Sequence, residues 1–557
     1  MDFSLSHSGG ENGLKNRGIG GAGLYLEGGK PYTVSLFLWT GGAPTAFVEL
    51  FDFTTNTSLA RQDFSVQSAG PDWGSLWVRY NFTLTPSAGT QCVGIPFNSD
   101  PTIDCGEEAG PAHVCVRCGG EFRLGISSPR DFKAGYVELM PGAWGLVQSK
   151  RGGSIPVLSS AGSVLTQLGV TTMRNGGSVS QGMRWMDWRG PVWNRASQRQ
   201  VWGKSLLSGW GPFDYLELAE ALDIEPILTL AYDSNSAAEW AALVEYCWGD
   251  VATSWGALRA ADRGHSGVYN VTVFELGNEQ YNPAFVEQVL AMEARSQQLH
   301  TPPLRYMFPD NGGLNAGDAA RLMAAAPGVV SRILPDIHIG AGGAVGEAAG
   351  LFANPPVPGF TQGAINCETN AGTHDLKRAI DEAADLIDFF GADPATTGRI
   401  YARTASFCTG SSNNFDSWDQ GISFFLPNMT WLQPPGYVHQ MISQTWGEQT
   451  LLLSWATPAF PLVAQMQGSK TLVLRAANPA AGKQSFIVTL QGGAAAGPLV
   501  QVWSLGGSGY SAESDNTPGN PAFVSPVQST LPIVAGATQF NATLQPLQFC
   551  IFVIELE

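Results

Sequence analysis

Between about residues 155 and 445 the chain alternates short apolar runs with helix-length segments, and no other feature limits its possible folds as much. "VLSSAGSVLTQLGV" precedes "TTMR", "FDYLELAEALDI" precedes "EPILTLAY", and then come "NVTVFELGNE", "PLRYMFPDNG", "PDIHIG" and "QGAINCETN". Strand, helix and strand in repetition build βαβ units and a parallel sheet. The stretch, roughly 290 residues long, suits a (β/α)8 barrel, for which about 250 is typical.

The flanks carry a different pattern. Residues 22–90 hold short runs of alternating polarity, such as "PYTVSLFLW", "AFVELFDF" and "SLWVRYNFTLTP", cut by Gly, Pro, Asn and Asp. From about residue 446 the pattern returns in "TLLLSWA", "TLVLRAAN", "SFIVTLQG", "LVQVWSL" and "QFCIFVIELE". Period-two alternation with turn punctuation predicts β-sandwiches. The expected fold is therefore α/β: a TIM barrel over 146–445, between an N-terminal sandwich over 1–145 and a C-terminal one over 446–557. A chain of 557 residues exceeds what one core usually supports, which agrees with several domains.

Barrel chemistry takes place at the carboxyl ends of strands. The polar residues of the middle segment fall there: Arg174-Asn175-Gly176-Gly177 after "VTTM", Asn278-Glu279 after "VTVFELG", His338 in "DIHI" and Glu368 after "GAINC". Glu279 and Glu368 are 368 − 279 = 89 residues apart. At about 30 residues per strand-helix unit this sets them three strands apart, facing each other across the mouth. Two carboxyl groups about 5–5.5 Å apart serve a retaining glycosidase as nucleophile and acid/base, whereas an inverting enzyme needs about 6.5–9.5 Å.

The charge balance is 30 − 47 = −17, with no basic run long enough to track a phosphate backbone, so nucleic acid is not an expected partner. No stretch reaches the about 20 apolar residues of a membrane helix. The start "MDFSLSHSGGENGL" lacks the basic and apolar regions of a signal peptide. Yet sequons occur at Asn56, Asn81, Asn270, Asn428 and Asn541, and Cys92, Cys105, Cys115 and Cys118 cluster, so an extracellular or secretory location is expected. For the cluster, disulfides are preferred over free thiols or a zinc knuckle. No cofactor or metal is expected, because His265, His338 and His374 show no ligand spacing.

The segments "MRNGGSV", "MRWMDWRGPVWNR", "SGWGPFDYLELAEAL", "AALVEYCWGD", "ALRAADRGH", "FELGNEQ", "INCETNAGTHDLKRAIDEA" and "SWDQGISFFLPNMTWLQPPGYVHQM" together resemble the α-L-arabinofuranosidases of glycoside hydrolase family 51. The likeness covers about residues 150–557, and "GAGLYLEGGKPYTVSLFLW" with "VRYNFTLTP" is more loosely similar to the carbohydrate-binding-like sandwich of some members. The resemblance implies a retaining enzyme that removes terminal arabinofuranosyl groups from wall polysaccharides or glycoproteins, with Glu279 as acid/base and Glu368 as nucleophile. It further implies that Asn278 binds the hydroxyl beside the anomeric carbon, that Arg174 orients the nucleophile, and that Gln420 holds the sugar. His338 matches a histidine on the strand before the nucleophile.

For five of these a plainer reading stands beside the functional one: a carboxylate in the first turn of the helix "PAFVEQVLAMEARSQQL" for Glu279, a charge capping the helix "HDLKRAIDEAADLIDFF" for Glu368, a salt bridge under the barrel for Arg174, a satisfied core histidine for His338, a polar loop residue for Gln420. The chain also departs from the family pattern. Gly340 stands where many members have an aromatic, Thr369 stands where a Tyr commonly follows the nucleophile, and no Phe-Glu-Glu-type strand precedes residue 22, as in a chain truncated at its N-terminus. The alternatives are the same barrel acting on another glycoside, such as a xyloside or glucan, and a non-catalytic glycan-binding protein whose 17 Trp stack on sugars.

Overall fold

The alternating N-terminal runs become two antiparallel sheets. The computed structural model describes residues 4–8, 11–18, 21–40, 43–67, 77–96, 114–126, 132–195, 198–199, 205–206, 209–309, 313–338, 340–369, 373–403, 409–411, 421–454, 460–492 and 494–557. One sheet orders the strands Ser4–Ser8, Glu11–Asn16, Gly120–Ile126, Thr45–Asp52 and Thr57–Ser65; the other orders Phe132–Pro141, Tyr32–Thr40 and Val78–Leu84. Because side chains alternate between faces, Val34, Leu36 and Leu38 of the second sheet meet Val48, Leu50, Leu124 and Ile126 of the first in one core.

A short ladder, Cys92–Pro96 with Val114–Cys118, is closed by a Cys92–Cys118 disulfide. Cys105 lies outside the described residues, as does the side chain of Cys115. Val116 and Cys118 of this hairpin pack against Phe424, Leu426 and Trp431, far along the chain.

The middle segment is the mixed α/β part. Strands Thr172–Asn175, Glu225–Leu230, Val273–Leu276, Arg305–Phe308 and Ile333–Pro335 are parallel neighbours in chain order. A bridge from Asp336 to Ile365 carries the row to Ala364–Asn366, which pairs in parallel with Ile400–Arg403. Ile227, Val273, Met307, Leu334 and Ile365, one from each of five successive strands, share a small inner core with Cys367. Between the strands the helices start where the sequence caps them. Ser236 and Glu239 form a reciprocal box at Ala237–Trp248, Pro212 opens Pro212–Ala221, and the Asp375 carboxylate accepts from Arg378 N at Leu376–Gly391. The helix Ser159–Leu168, which precedes the first strand of the row, packs on Ile422 and Leu432 near its far end.

The C-terminal strands form a six-stranded sheet ordered Gln449–Leu451, Leu462–Gln467, Thr471–Asn478, Gln548–Leu556, Ala496–Gly506 and Val527–Pro532. The pair Gln484–Thr489 and Gln539–Leu544 covers one face, sharing a core of Leu474, Val500, Phe540, Leu544 and Phe552. The loop after Gly506 reaches back to the middle segment: Leu376 N donates to Ser514 O over 2.8 Å, and the buried Asn516 bonds Leu432 O and Gln433. Among the described residues no helix is long and apolar enough to cross a membrane.

Candidate active site

All four residues of Val273–Leu276 are buried, as in a strand covered on both faces. The strand ends on Gly277, whose φ of 114° an L side chain rarely adopts, and a Cβ there would lie 3.0 Å from Tyr232 Cδ1 and 3.3 Å from Pro309 Cγ. The chain thus turns sharply at Gly277, buries the Asn278 side chain and brings Glu279 out at φ 51°, in the left-handed region. Asn282 pins the turn by donating to Leu276 O over 3.0 Å. Glu279 precedes the helix Phe285–Leu299 and is not part of its first turn.

Arg174 is the hub beneath this turn. Its Nε donates to Glu275 Oε2 at 2.6 Å, Nη1 to Glu368 Oε2 at 2.9 Å and Nη2 to Asn278 Oδ1 at 2.6 Å, with a further bond from Nη2 to the other Glu275 oxygen. Glu275 is fully buried and also accepts from Thr229 Oγ1. Asn278 in turn donates to Glu279 Oε2 at 3.3 Å, and its carbonyl accepts from Gln181 at 3.0 Å. A planar guanidinium suits this task, since its fork satisfies several carboxylate and amide oxygens at once.

His338 stands between the two glutamates. Its Nδ1 is 3.0 Å from Glu279 Oε1 and 3.8 Å from Glu368 Oε2, and its Nε2 is 2.5 Å from Asp336 Oδ2. One ligating atom each of Glu279, His338 and Glu368 lie within 4.8 Å of one another. Burial opposes charge on His338, but the hydrogen bond and charge of Asp336, with the charge of Glu368, outweigh it and raise the imidazole to about 9. Burial likewise works against the Asp336 carboxylate, which the His338 hydrogen bond and the Arg174 charge nevertheless hold below its usual range. Burial pushes the Cys367 thiol well up, and Sγ donates to Asp336 Oδ1 at 2.9 Å.

Two donor sets are close enough to grip a metal, Glu279 with His338 and Glu368, and Asp336 with His338 and Cys367. In both, the shared imidazole points each nitrogen at a carboxylate, and in the second the thiol keeps its proton. A metal would have to displace those protons before it found a lone pair.

Glu279, Glu368, Asn278, Arg174 and His338 thus converge, and Gln420 lies outside the described residues. The salt-bridge reading of Arg174 is met by its pair with the buried Glu275, and the same guanidinium also pairs with Glu368. Sequence reasoning missed Glu275, Asp336 and Cys367. Each left a signal: a charge inside the apolar "VTVFELG", an Asp two residues before His338 and so on the same face of an extended strand, and a Cys directly before Glu368.

Residues 164–301 match the family model described as the alpha-L-arabinofuranosidase 1 domain. The likeness to α-L-arabinofuranosidases read from the motifs is thus matched over this part of the chain. An extracellular exo-alpha-L-arabinofuranosidase of Streptomyces chartreusis is 25% identical over 280 residues, 47% of this chain and 30% of that protein. A probable alpha-L-arabinofuranosidase C of Aspergillus niger is 32% identical over 127 residues, 22% of this chain and 25% of that protein. The chain thus spans under a third of the length of these curated relatives. Among solved structures, the arabinose-bound α-L-arabinofuranosidase MgGH51 superposes with a TM-score of 0.73 at 16% identity, over 98% of this chain and 86% of that one. The α-L-arabinofuranosidase from Thermotoga maritima gives 0.57 at 16%, over 74% and 94%. At these identities the structures speak for the fold.

Proposed function

We propose that the chain is a retaining, exo-acting α-L-arabinofuranosidase that works by double displacement. The observation that carries this reading is the closeness of the pair: carboxylate oxygens of Glu279 and Glu368 fall within 4.8 Å, with His338 between them. So close an approach of single oxygens favours the about 5–5.5 Å between the carboxyl groups of retaining enzymes over the about 6.5–9.5 Å that admits a water. Glu368, oriented by Arg174, attacks the anomeric carbon while Glu279 gives its proton to the leaving oxygen. Water then attacks the same carbon, Glu279 takes the water's proton, and the bond from the sugar to Glu368 breaks. Asn278, buried beside Glu279, binds the neighbouring sugar hydroxyl, and Gln420 adds a further hold.

The fold we infer is a closed (β/α)8 barrel over 146–445 between sandwiches over 1–145 and 446–557. The single-strand layer Ile227, Val273, Met307, Leu334 and Ile365, and the packing of Ser159–Leu168 on Ile422 and Leu432, support closure. The substrate is an arabinose-bearing polysaccharide or glycoprotein outside the cell. The extracellular Streptomyces relative, the Cys92–Cys118 disulfide and five exposed sequon asparagines support that location.

Hydrolysis of 4-nitrophenyl α-L-arabinofuranoside, beside the matching xyloside, glucoside and galactoside, tests the reading. Preference for the arabinofuranoside supports it. Preference for another sugar moves the same chemistry to a different substrate, and glycan binding without turnover overturns it.

A further inference from the structure

In this double displacement the negative charge of the site has to move. Before the first step Glu368 is the carboxylate and Glu279 carries the proton. Once the sugar is esterified on Glu368 and the leaving oxygen has taken the proton, the charge sits on Glu279. The second step returns it: a water proton goes to Glu279, the water oxygen bonds the anomeric carbon, and Glu368 leaves as the carboxylate. Such a migration is costly unless a fixed dipole or cation faces both positions.

His338 is such a group. Nδ1 lies 3.0 Å from Glu279 Oε1 and 3.8 Å from Glu368 Oε2. Its other nitrogen lies 2.5 Å from Asp336 Oδ2. Asp336 is only 1% exposed, and its second oxygen accepts from the Cys367 thiol at 2.9 Å and the Cys367 amide at 3.3 Å, so it has little room to turn away. Among the described residues, the charged groups around the ring are Asp336 beyond Ile333–Pro335, Glu279 beyond Val273–Leu276, Glu368 beyond Ala364–Asn366, and Arg174 on Thr172–Asn175, whose Nη2 is 3.9 Å from Asp336 Oδ2, and the Cys367 thiol lies 3.9 Å from Nε2.

We propose that Asp336 is a positioning residue that fixes the His338 ring as a doubly hydrogen-bonded cation, so that one imidazolium balances whichever of Glu279 and Glu368 is charged. The inference rests on the roles given to the two glutamates above. His338 keeps its proton throughout and is not a shuttle. Asp336→Asn preserves a hydrogen-bond acceptor at nearly the same place but removes the charge that keeps the ring protonated.

Two measurements decide it. In protein labelled with 15N-histidine, the His338 ring signals, assigned by their loss in His338→Gln, stay those of the imidazolium through neutral pH in wild type, and titrate at clearly lower pH in Asp336→Asn. In kinetics on whichever aryl glycoside the wild type hydrolyses, Asp336→Asn lowers kcat by on the order of ten- to a hundredfold, the size of one charge-assisted hydrogen bond. Its loss deepens as pH rises, and the substitution costs little more when His338 is already Gln. An unchanged His338 titration in folded Asp336→Asn overturns the proposal, as does a loss that is independent of pH and additive with His338→Gln. A wild type that prefers a non-arabinosyl glycoside refutes the substrate reading and leaves both arms readable. A wild type without turnover removes the glutamates' roles and this inference with them.

Discussion

Nη1 of Arg174 lies 2.9 Å from Oε2 of Glu368, while the same guanidinium grips the fully buried Glu275. An ammonium cannot serve both carboxylates and Asn278 in fixed geometry. Arg174→Lys is therefore expected to lower kcat by about 100-fold or more. Arg174→Met, which leaves Glu275 buried without its partner, should also destabilise the fold by about 3–5 kcal/mol in urea titrations. Near-normal turnover in Arg174→Lys would remove Arg174 from the account.

The pH dependence of stability has a definite sign at His338. Its folded-state value is raised from 6.5 to about 9, so the stability it brings is fully present below pH 6.5 and is lost as pH rises through about 9. The gap, 9 − 6.5, corresponds to at most roughly 3 kcal/mol. Urea titrations at pH 6 and pH 10 should show wild type losing up to about that much more than His338→Gln. Equal losses would mean the ring is neutral in the folded protein.

Much of the candidate site was legible because its polar residues stand at the carboxyl ends of parallel strands, where they interrupt apolar runs. Glu279 and Glu368 each follow such a run, and the strands that carry them are three apart in the row. Glu275 and Asp336 left a signal but not a role, since a carboxylate within or beside a buried strand has meaning only once its partners, Arg174 and His338, are known to be folded over it. The alternating flanks gave their sheets away by period. The packing of the Cys92–Cys118 hairpin on Phe424 and Trp431, over 300 residues later, left no local trace.

Gly277 is a test of the turn that presents the pair. Gly277→Ala must hold a side chain at φ 114° against Tyr232 and Pro309, which should cost about 1–3 kcal/mol and displace Asn278 and Glu279. Thermal unfolding and kcat should fall together. An Ala variant with wild-type melting and turnover would contradict the geometry.

The Cys92–Cys118 link closes a separation of 26 residues. Its removal in Cys92→Ser/Cys118→Ser should cost about 3 kcal/mol by the loop-closure argument. The loss should appear as a lower Tm that reducing agent does not lower further, while reducing agent brings wild type down towards the same value. Reductant-insensitive wild type would mean the two thiols are not joined.

The most direct test separates the two glutamates by leaving group and by azide. Glu368→Ala removes the attacking carboxylate, so every substrate should lose most of its rate, whatever its leaving group. Glu279→Ala removes proton donation and water activation. An aryl group of low pKa still departs, so pre-steady-state traces with 2,4-dinitrophenyl α-L-arabinofuranoside should show a burst of phenol followed by a slow phase. Added azide, which needs no base, should accelerate that slow phase in Glu279→Ala and yield an arabinofuranosyl azide of retained configuration. If the two variants respond alike to leaving group and azide, or if the azide product is inverted, the assignment of Glu279 as acid/base and Glu368 as nucleophile is contradicted.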